Sequence, residues 1–389
     1  MAFRKNILIL GAGINGLAMA CVLAEADFVV RVLDKNISPL CPSIASSGLS
    51  LPQGERRNTN FLRVSALTPS SLNFLAEILK PDFAFNLFSG MKVWGQENPD
   101  YASPDLDLKA RGAILENQRL EKLLKNKAEK LGVVFYAGEP INLKRDSQKV
   151  YLDCQKGVTL EADLLIGADG VNSWVRKTAG ISTQIKSYQE LALIAVLETE
   201  IDHKNRAYQR FINTGPIAFL PLVNPHEISL VWSCEKNKAQ ELLNLSPEDF
   251  EKELEKNFGV LGGLKLKSER LSFELKHHHA KRYISEKIVL IGDAAHSIHP
   301  LAGLGLNMGL KDVKVLAEVL IKNKNQNKSY SWEVLASYER ERISQNFKIY
   351  TAMTGLDFIF KFNIPGLEWG MSFINQSQFL KRAIIQNGL

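Results

Sequence analysis

The fold of this chain is decided by residues 288–320, which read IVLIGDAAHSIHPLAGLGLNMGLKDVKVLAEVL. The first four residues are apolar and stop at Gly292-Asp293, which is typical of a buried parallel strand that ends in a loop. From Leu306 onward, apolar residues recur at helical spacing and predict an amphipathic helix. The glycines between these elements let a backbone approach a ligand closely, and the free amides that begin a helix favour negative charge. The stretch therefore predicts a cofactor site between a strand and a helix.

A second glycine-rich motif lies near the N-terminus. Residues 6–10 form a short apolar run, GAGING follows at 11–16 where a helix should begin, and a second apolar run ends at Asp34. This is the dinucleotide fingerprint in its usual context. Gly11 permits the tight turn, Gly13 permits close approach of a pyrophosphate, and Gly16 permits the helix to pack on the strand. Asp34 is expected to accept a hydrogen bond from a ribose hydroxyl, but the fingerprint does not distinguish NAD from FAD.

A third motif of the same design lies in residues 160–180, LEADLLIGADGVNSWVRKTAG. An apolar strand ends in Asp169-Gly170, and Ser173 is a good N-cap for the helix that follows. Because the ends of parallel strands meet at one edge of a sheet, these motifs predict one crevice beyond the strand ends. Residues 185–276 differ, since their alternating strands predict an antiparallel sheet, interrupted by one helix at about residues 247–257.

Composition narrows the classes of protein that fit. The 389 residues are enough for two domains, and a hydrophobic content of 45% is ordinary for a globular protein. The four cysteines form no Cys-x-x-Cys pair, which argues against a disulfide framework or a zinc site and favours a reducing cytoplasm. Three adjacent histidines, His277, His278 and His279, cannot grip one ion together, so no metal is expected. No feature indicates binding to nucleic acid.

Two stretches have features that are also found in segments that enter or contact a membrane. Residues 4–24 resemble a secretory signal, but the fixed glycine spacing at 11–16 favours the nucleotide motif. No stretch approaches the ~20 uncharged apolar residues of a membrane-spanning helix. Residues 340–389 carry half of the formal net charge of +6 and several aromatic residues. This pattern suits contact with an anionic membrane surface, although packing of the tail on its own domain is the favoured interpretation.

Together these motifs resemble a known family. GAGING at 11–16, GADG at 167–170 and IGDAAH at 291–296 resemble the single-component flavoprotein aromatic hydroxylases. Within them, HPLAGLGLNMGLKD at 299–312 is similar to the signature of the ubiquinone-biosynthesis hydroxylases, and Arg63-Val64-Ser65 and Gln209-Arg210-Phe211 agree with it. The resemblance covers essentially the whole chain. It departs at Leu304, where the family usually has Gln.

The resemblance implies an α/β fold. A Rossmann-like FAD-binding domain would carry an inserted antiparallel-sheet substrate domain, as in the aromatic-hydroxylase fold, and a C-terminal helical tail. The FAD-binding domain would comprise residues 1–70, 105–184 and 281–345, and the substrate domain residues 71–104 and 185–280. Residues 346–389 would form the helical C-terminal region.

The resemblance also implies an extended FAD. Its expected contacts are Gly11, Gly13, Gly16, Asp34, Arg63, Asn117, Asp169, Gly292, Asp293, Gly305, Leu306 and Asn307. Arg119 is a weaker candidate than Asn117, and a surface ion pair is the alternative role for Arg63. The backbone of residues 305–307 would face the flavin N1 and C2 carbonyl, where a helix start stabilises the anionic reduced ring. Phe219, His299 and Pro300 are the expected substrate-side residues, and no catalytic acid or base is assigned.

The implied activity is hydroxylation of the aromatic ring of a polyprenylated phenol in ubiquinone biosynthesis. NAD(P)H and O2 would be co-substrates, and a C4a-hydroperoxyflavin would be the oxidant, since the flavin supplies this chemistry. The implied setting is a ubiquinone-biosynthesis assembly in the cytoplasm, with peripheral contact of the tail at the inner membrane face. Two alternatives stay open: a hydroxylase of a small soluble aromatic compound, and a non-catalytic flavin-binding scaffold in which Leu304 marks lost oxygen chemistry.

The departure at Leu304 generates a first prediction. Leu304→Gln is expected to leave FAD content unchanged while it alters flavin reoxidation or the coupling of NAD(P)H oxidation to hydroxylation, because it adds a polar group near the expected flavin position. The measurements are the FAD-to-protein ratio and the yield of hydrogen peroxide per NAD(P)H. Loss of flavin from the variant would contradict this view of position 304.

Overall fold

The computed structural model describes residues 5–37, 63–80, 86–95, 98, 100–109, 112–297, 304–326 and 330–361. Strands in this part of the chain are β1 Asn6–Leu10, β2 Val29–Asp34, β3 Val64–Leu67, β4 Asn86–Phe88, β5 Gly90–Trp94, β6 Leu106–Leu108, β7 Gly112–Glu116, β8 Val134–Ala137, β9 Pro140–Arg145, β10 Val150–Cys154, β11 Thr159–Ala162, β12 Leu164–Gly167, β13 Thr183–Thr199, β14 Arg206–Ile212, β15 Gly215–Pro221, β16 Glu227–Glu235, β17 Leu264–Leu266, β18 Leu271–Ala280, β19 Ile284–Ser285, β20 Ile288–Leu290 and β21 His296–Ser297. Helices in the same part are α1 Ile14–Glu25, α2 Pro69–Leu79, α3 Asn117–Lys130, α4 Trp174–Thr178, α5 Lys236–Asn244, α6 Pro247–Phe258, α7 Leu304–Asn325 and α8 Trp332–Lys361.

The first domain is built on a six-stranded sheet, as far as the described residues show, in the order β19-β20-β12-β1-β2-β8. All neighbours from β20 to β8 pair in parallel, and β19 pairs antiparallel with β20. The central strands are apolar and buried, because a parallel sheet is covered on both faces. The register pairs Leu10 with Gly167 and Gly167 with Leu290, so the three glycine motifs begin side by side.

The second domain is built on a nine-stranded sheet, counted over the described strands. Eight of them follow the order β21-β18-β13-β16-β15-β14-β5-β6, and β17 pairs with β13. Its pairs are antiparallel except β14 with β5. Because side chains alternate along a strand, one face packs with Phe250, Leu254 and Phe258 of α6 in a buried cluster, while the other face looks toward the first domain.

The predicted α/β class and the inserted antiparallel sheet are confirmed, with shifts at the boundaries. β6 pairs with β5 in the large sheet, so this sheet includes residues that were expected in the FAD-binding domain after residue 105. β13 already begins at Thr183, and β21 adds residues 296–297 to the same sheet. These pairings join strands far apart in sequence, which local spacing does not reveal.

The structure also adds to the predicted helices and fixes where they begin and end. α5, which was not predicted, precedes α6. α3 begins at Asn117, because residues 112–116 pair as β7 with β3 and β4. α8 runs from Trp332 to Lys361 and so enters the predicted helical C-terminal region, whose part from residue 362 lies outside the described residues. No helix in the described part of the chain is long and apolar enough to cross a membrane.

Candidate active site

A cavity of about 340 Å³ lies where the ends of the parallel strands face the large sheet. The first domain contributes mainly glycines and polar side chains to its lining, among them Gly13, Asn15, Arg63, Asn117, Glu121, Gly170, Asp293 and Gly305. The large sheet contributes mainly apolar side chains; its lining residues are Met91, Ile194, Gln209, Ala218, Leu220, Ser229, Val231, Phe273, Leu275 and Ser297. One wall of the cavity thus suits a polar, charged ligand and the other suits an apolar one.

The three fingerprint glycines have different surroundings. Gly11 has φ +109°, and a Cβ there would lie 2.3 Å from the Ala168 carbonyl oxygen. A Cβ on Gly16 would lie 2.0 Å from the Gly11 carbonyl oxygen. A Cβ on Gly13 would have nothing within 4 Å, and this residue lines the cavity. Gly11 and Gly16 are therefore required by packing, whereas Gly13 leaves open space at the start of α1.

Asp34 at the end of β2 holds the turn of the fingerprint. Its Oδ2 accepts from the Ala12 amide at 2.7 Å, and its Oδ1 accepts from the Asn36 amide at 2.7 Å. Each carboxylate oxygen can accept more than one hydrogen bond, so these contacts leave capacity for a ribose hydroxyl. The ribose contact remains a prediction.

Arg63 and Asn117 lie together on the wall of the cavity. The Asn117 amide donates to the Arg63 carbonyl at 3.0 Å, and the Arg63 guanidinium lies 5.6 Å from the centre of the Phe273 ring. The buried Oδ1 of Asn117 has no hydrogen-bond partner in the described part of the chain. Glu121, one helical turn further along α3, was not predicted; burial raises its pKa while Arg63 opposes the shift. Arg119 is not among the described residues that line the cavity.

Asp169 caps a helix. Its Oδ2 accepts from the amides of Trp174 and Val175 at 2.7 and 3.0 Å, and its Oδ1 accepts from the Ser173 hydroxyl at 2.6 Å. Burial raises the pKa of Asp169, and these hydrogen bonds oppose that shift. Ser173 is the N-cap of α4, as predicted, since its hydroxyl accepts from the Arg176 amide at 2.9 Å. The direct contact of Asp169 with FAD remains a prediction.

Arg176, which sequence reasoning missed, ties two of the glycine motifs together. Its buried guanidinium donates to the Val171 carbonyl at 2.8 Å and to the Ala294 carbonyl at 2.6 Å. It also contacts Nε2 of His278 at 3.1 Å. Burial and the Arg176 charge lower the pKa of His278 to about 3, so this nitrogen accepts the hydrogen bond. The arginine fixes the spacing of the two loops.

The Gly292-Asp293 turn places a carboxyl group on the cavity wall. Gly292 has φ +58°, and a Cβ there would lie 2.4 Å from Nδ2 of Asn15. A Cβ on Gly309 would lie 2.2 Å from the same atom, so both glycines make room for this amide. The buried Oδ1 of Asn15 has no partner among the described residues. Burial raises the pKa of Asp293, whereas the nearby Arg63 charge opposes the shift.

A fully buried charged cluster supports this turn from behind. Asp312 of α7 accepts from the Gly292 amide at 2.9 Å and contacts Nε2 of His296 at 2.6 Å. Its other oxygen accepts from Nε of Arg342 on α8 at 2.7 Å. Burial alone would raise the pKa of Asp312, but His296 and Arg342 lower it to about 2. In the sequence of residues 288–320, the only sign of this charged cluster is that an aspartate, Asp312, lies within a largely apolar helix.

Two residues at the start of α7 border the cavity, whereas the Asn307 side chain points elsewhere; contact of residues 305–307 with FAD remains a prediction. Gly305 and Leu306 line the cavity, and a Cβ on Gly305 would have nothing within 4 Å. The Asn307 side chain is buried; it donates to the Ala66 carbonyl at 2.7 Å and accepts from the Thr68 amide at 2.9 Å. Its side chain therefore fixes β3 and α2 against α7.

Of the three residues expected on the substrate side, the structure describes only Phe219. Phe219 is corrected: it is fully buried and stacks on Phe258 with ring centres 4.8 Å apart, on the face of the large sheet that points away from the cavity. Its neighbours Ala218 and Leu220 line the cavity instead, because side chains alternate along β15. His299 and Pro300 lie outside the described residues.

Two of the three adjacent histidines, His278 and His279, are buried and have structural partners. His279 contacts the Ala280 carbonyl through Nδ1 and the Tyr283 hydroxyl through Nε2, whereas His278 contacts Arg176. Among the described residues no group of three potential ligands is arranged to hold a metal ion. Cys21, Cys154 and Cys234 are buried free thiols.

Comparison with known proteins agrees with this geometry. The family model for the FAD binding domain matches residues 89–350. The 3-demethoxyubiquinol 3-hydroxylase of Escherichia coli K12 is 30% identical over 99% of this chain and 98% of its own. The mitochondrial ubiquinone biosynthesis monooxygenase COQ6 of Danio rerio is 32% identical over 90% of this chain and 81% of its own. The p-nitrophenol 4-monooxygenase PnpA of Pseudomonas putida DLL-E4 shares the fold, with a TM-score of 0.76 at 17% identity over 100% of this chain and 98% of its own.

The fold, the cavity and these matches define an FAD-dependent aromatic hydroxylase, an oxidoreductase that uses NAD(P)H and O2. Within this class the chain belongs to the family of the ubiquinone-biosynthesis hydroxylases. The predicted family and cofactor are thereby confirmed.

The buried cluster generates a prediction about stability. Asp312→Asn is expected to lower the free energy of unfolding at pH 7 by about 3–5 kcal/mol, because it leaves a buried cation without its counter-charge. The folded-state pKa of about 2 lies below the ordinary 3.8, so the charge of Asp312 stabilises the fold fully above the ordinary value. This contribution disappears as the pH falls toward 2, so the difference between wild type and variant should shrink below about pH 4.

Urea unfolding of both proteins between pH 7 and pH 3 measures this difference. Glu269→Gln, at an exposed position, is the control and should change stability by less than about 0.5 kcal/mol. A difference that stays constant over the whole pH range would show that the charge of Asp312 is not responsible.

Proposed function

We propose that this protein hydroxylates the aromatic ring of a polyprenylated phenol in ubiquinone biosynthesis. The observation that carries the proposal is the two-sided cavity, in which polar strand ends face an apolar sheet. The names of the E. coli and Danio rerio relatives support the ubiquinone pathway. An apolar wall suits a phenol with a hydrocarbon chain, since burial of each methylene contributes about 0.8 kcal/mol.

The residues on the polar side fit FAD. Open space at Gly13 and Gly305 leaves room for a ligand against the backbone at two helix starts, which favour negative charge. The buried oxygens of Asn15 and Asn117 have no partner among the described residues, and hydroxyl or imide N–H groups of a flavin nucleotide could satisfy them. We assign the pyrophosphate to Gly13, the adenosine ribose to Asp34, and the remaining contacts to Arg63, Asn117, Asp293 and the backbone of residues 305–307.

When it is bound, FAD supplies the redox chemistry and the activation of oxygen. The protein's own contribution is to bind, to orient and to exclude water. Arg176 and Asp312 hold the loops of the polar wall in register, while the apolar sheet face keeps water from the reacting ring. No described side chain is assigned as a catalytic acid or base, because the flavin carries the reaction.

A prenylated substrate dissolves in the lipid bilayer, so we also propose that the protein works at the inner face of the membrane as part of a ubiquinone-biosynthesis assembly. The basic and aromatic composition of residues 340–389 supports this setting. The part of this region beyond residue 361 lies outside the described residues.

The assignment of Gly13 predicts a selective loss of cofactor. Gly13→Val should leave the protein folded, because Gly13 has φ −72° and a Cβ there meets nothing within 4 Å. The side chain would occupy the space assigned to the pyrophosphate, so FAD should bind at least about tenfold more weakly. The FAD-to-protein ratio and the thermal unfolding of the apoprotein measure both effects. Ala102→Val, at an exposed position, is the control, and a variant with a full complement of FAD would overturn the assignment.

The activity itself is tested with 2-geranylphenol as substrate. The FAD-loaded protein should consume NAD(P)H and O2 and yield a ring-hydroxylated product that carries one atom of ¹⁸O from ¹⁸O₂. Faster coupled turnover of 4-hydroxybenzoate would favour the small soluble aromatic, and flavin that NAD(P)H does not reduce with any phenol would favour the scaffold. Quinone precursors that accumulate in a deletion strain, measured by mass spectrometry, would place the reaction in the pathway.

A further inference from the structure

The face of the large sheet that lines the cavity is apolar except at three positions. The apolar residues are Met91, Ile194, Ala218, Leu220, Val231, Phe273 and Leu275, and the polar ones are Gln209, Ser229 and, at the edge strand β21, Ser297. Gln209 in β14 pairs with Ala218, and Ser229 in β16 pairs with Leu220, so these two polar residues flank the same central strand, β15. No charged side chain reaches the cavity from the described strands of this sheet.

The Ser229 hydroxyl has no structural partner among the described residues, and Gln209 lines the cavity beside it. The hydroxyl oxygen of Ser229 is buried and makes no hydrogen bond within the described part of the chain. Gln209 is 4% exposed and lines the cavity beside Ser229. An unpaired buried polar group costs about 1–3 kcal/mol, so the Ser229 hydroxyl points to a partner that the protein itself does not supply. The carboxamide of Gln209 lines the same cavity and can contact the same partner.

The chemistry of the two groups restricts that partner. A hydroxyl and a carboxamide can each donate and accept a hydrogen bond but carry no charge. They match the hydroxyl and ether oxygens of a neutral phenol. The described strands of this sheet offer an aromatic carboxylate no cation, and the nearby Arg63 is assigned to FAD, so a neutral phenol fits this wall better than a carboxylate.

We propose that Gln209 and Ser229 bind the oxygen substituents of the substrate ring and thereby orient it, while the surrounding apolar side chains bind the ring and the start of its prenyl chain. This inference rests on the proposed function and adds the residues that determine its specificity. Gln209 and Ser229 are substrate-positioning residues, because they move no proton or electron in the reaction.

Binding to two probes that differ by one oxygen tests the inference. Equilibrium dialysis of the FAD-loaded protein measures the Kd of 2-geranylphenol and of geranylbenzene, which lacks the hydroxyl group. Gln209→Met and Ser229→Ala should each weaken binding of the phenol about three- to tenfold, the effect of one lost hydrogen bond. Binding of geranylbenzene should change less than about twofold, because it offers these residues no hydrogen bond.

Two further variants make the test specific. Ser229→Thr retains the hydroxyl and should keep phenol affinity within about twofold of the wild type. Gln148→Met, at an exposed position of the first domain, should change neither Kd. During turnover, the fraction of NAD(P)H that ends as hydrogen peroxide should rise in Gln209→Met and Ser229→Ala, because a misoriented ring is hydroxylated less often.

The outcomes separate the inference from the function on which it rests. Equal losses for both probes would show that the two residues serve packing only, and unchanged affinities would show that they do not contact the ring; either result overturns the inference. If the wild type neither binds nor hydroxylates 2-geranylphenol, the proposed function fails and the inference fails with it. A phenol-selective loss in a protein that hydroxylates the phenol supports both.

Discussion

The parallel register of β1, β12 and β20 is the constraint on which the rest of the structure depends. It brings Leu10, Gly167 and Leu290 into one row, so the loops that follow leave the sheet side by side. They approach so closely that a Cβ on Gly11 would meet the Ala168 carbonyl oxygen at 2.3 Å. A side chain at this point would separate the loops. The polar wall of the cavity therefore depends on backbone packing that only glycine allows.

Buried ionic groups then hold these loops in place. Arg176 links the loop after β12 to the loop after β20. Asp312 of α7 holds the loop after β20 through the Gly292 amide and binds Arg342 of α8. Such groups are costly to bury, and they persist here because each charge has a counter-charge or several hydrogen bonds. The geometry of the cofactor site thus depends on residues that do not line the cavity.

The two faces of the large sheet have different roles: one forms a hydrophobic core and the other lines the cavity. One face packs Phe219 against Phe258 in a closed core, and the other offers Ala218 and Leu220 to the cavity. The two faces differ by one residue along the strand, so a shift of register would exchange core and binding wall. The same alternation sets Gln209 and Ser229 on the cavity side, where the buried hydroxyl of Ser229 lacks a partner among the described residues.

The sequence by itself determined the class of fold, the three glycine motifs and the family, because glycine spacing and apolar runs are local signals. It also predicted the N-cap at Ser173 and the helix start beside Gly305. Only the tertiary structure decided that Phe219 belongs to the core, that the Asn307 side chain secures a neighbouring strand, and that Asn15, Glu121, Gln209 and Ser229 share one cavity. These facts depend on strand register and on contacts between residues more than a hundred positions apart, which one-dimensional periodicity does not encode.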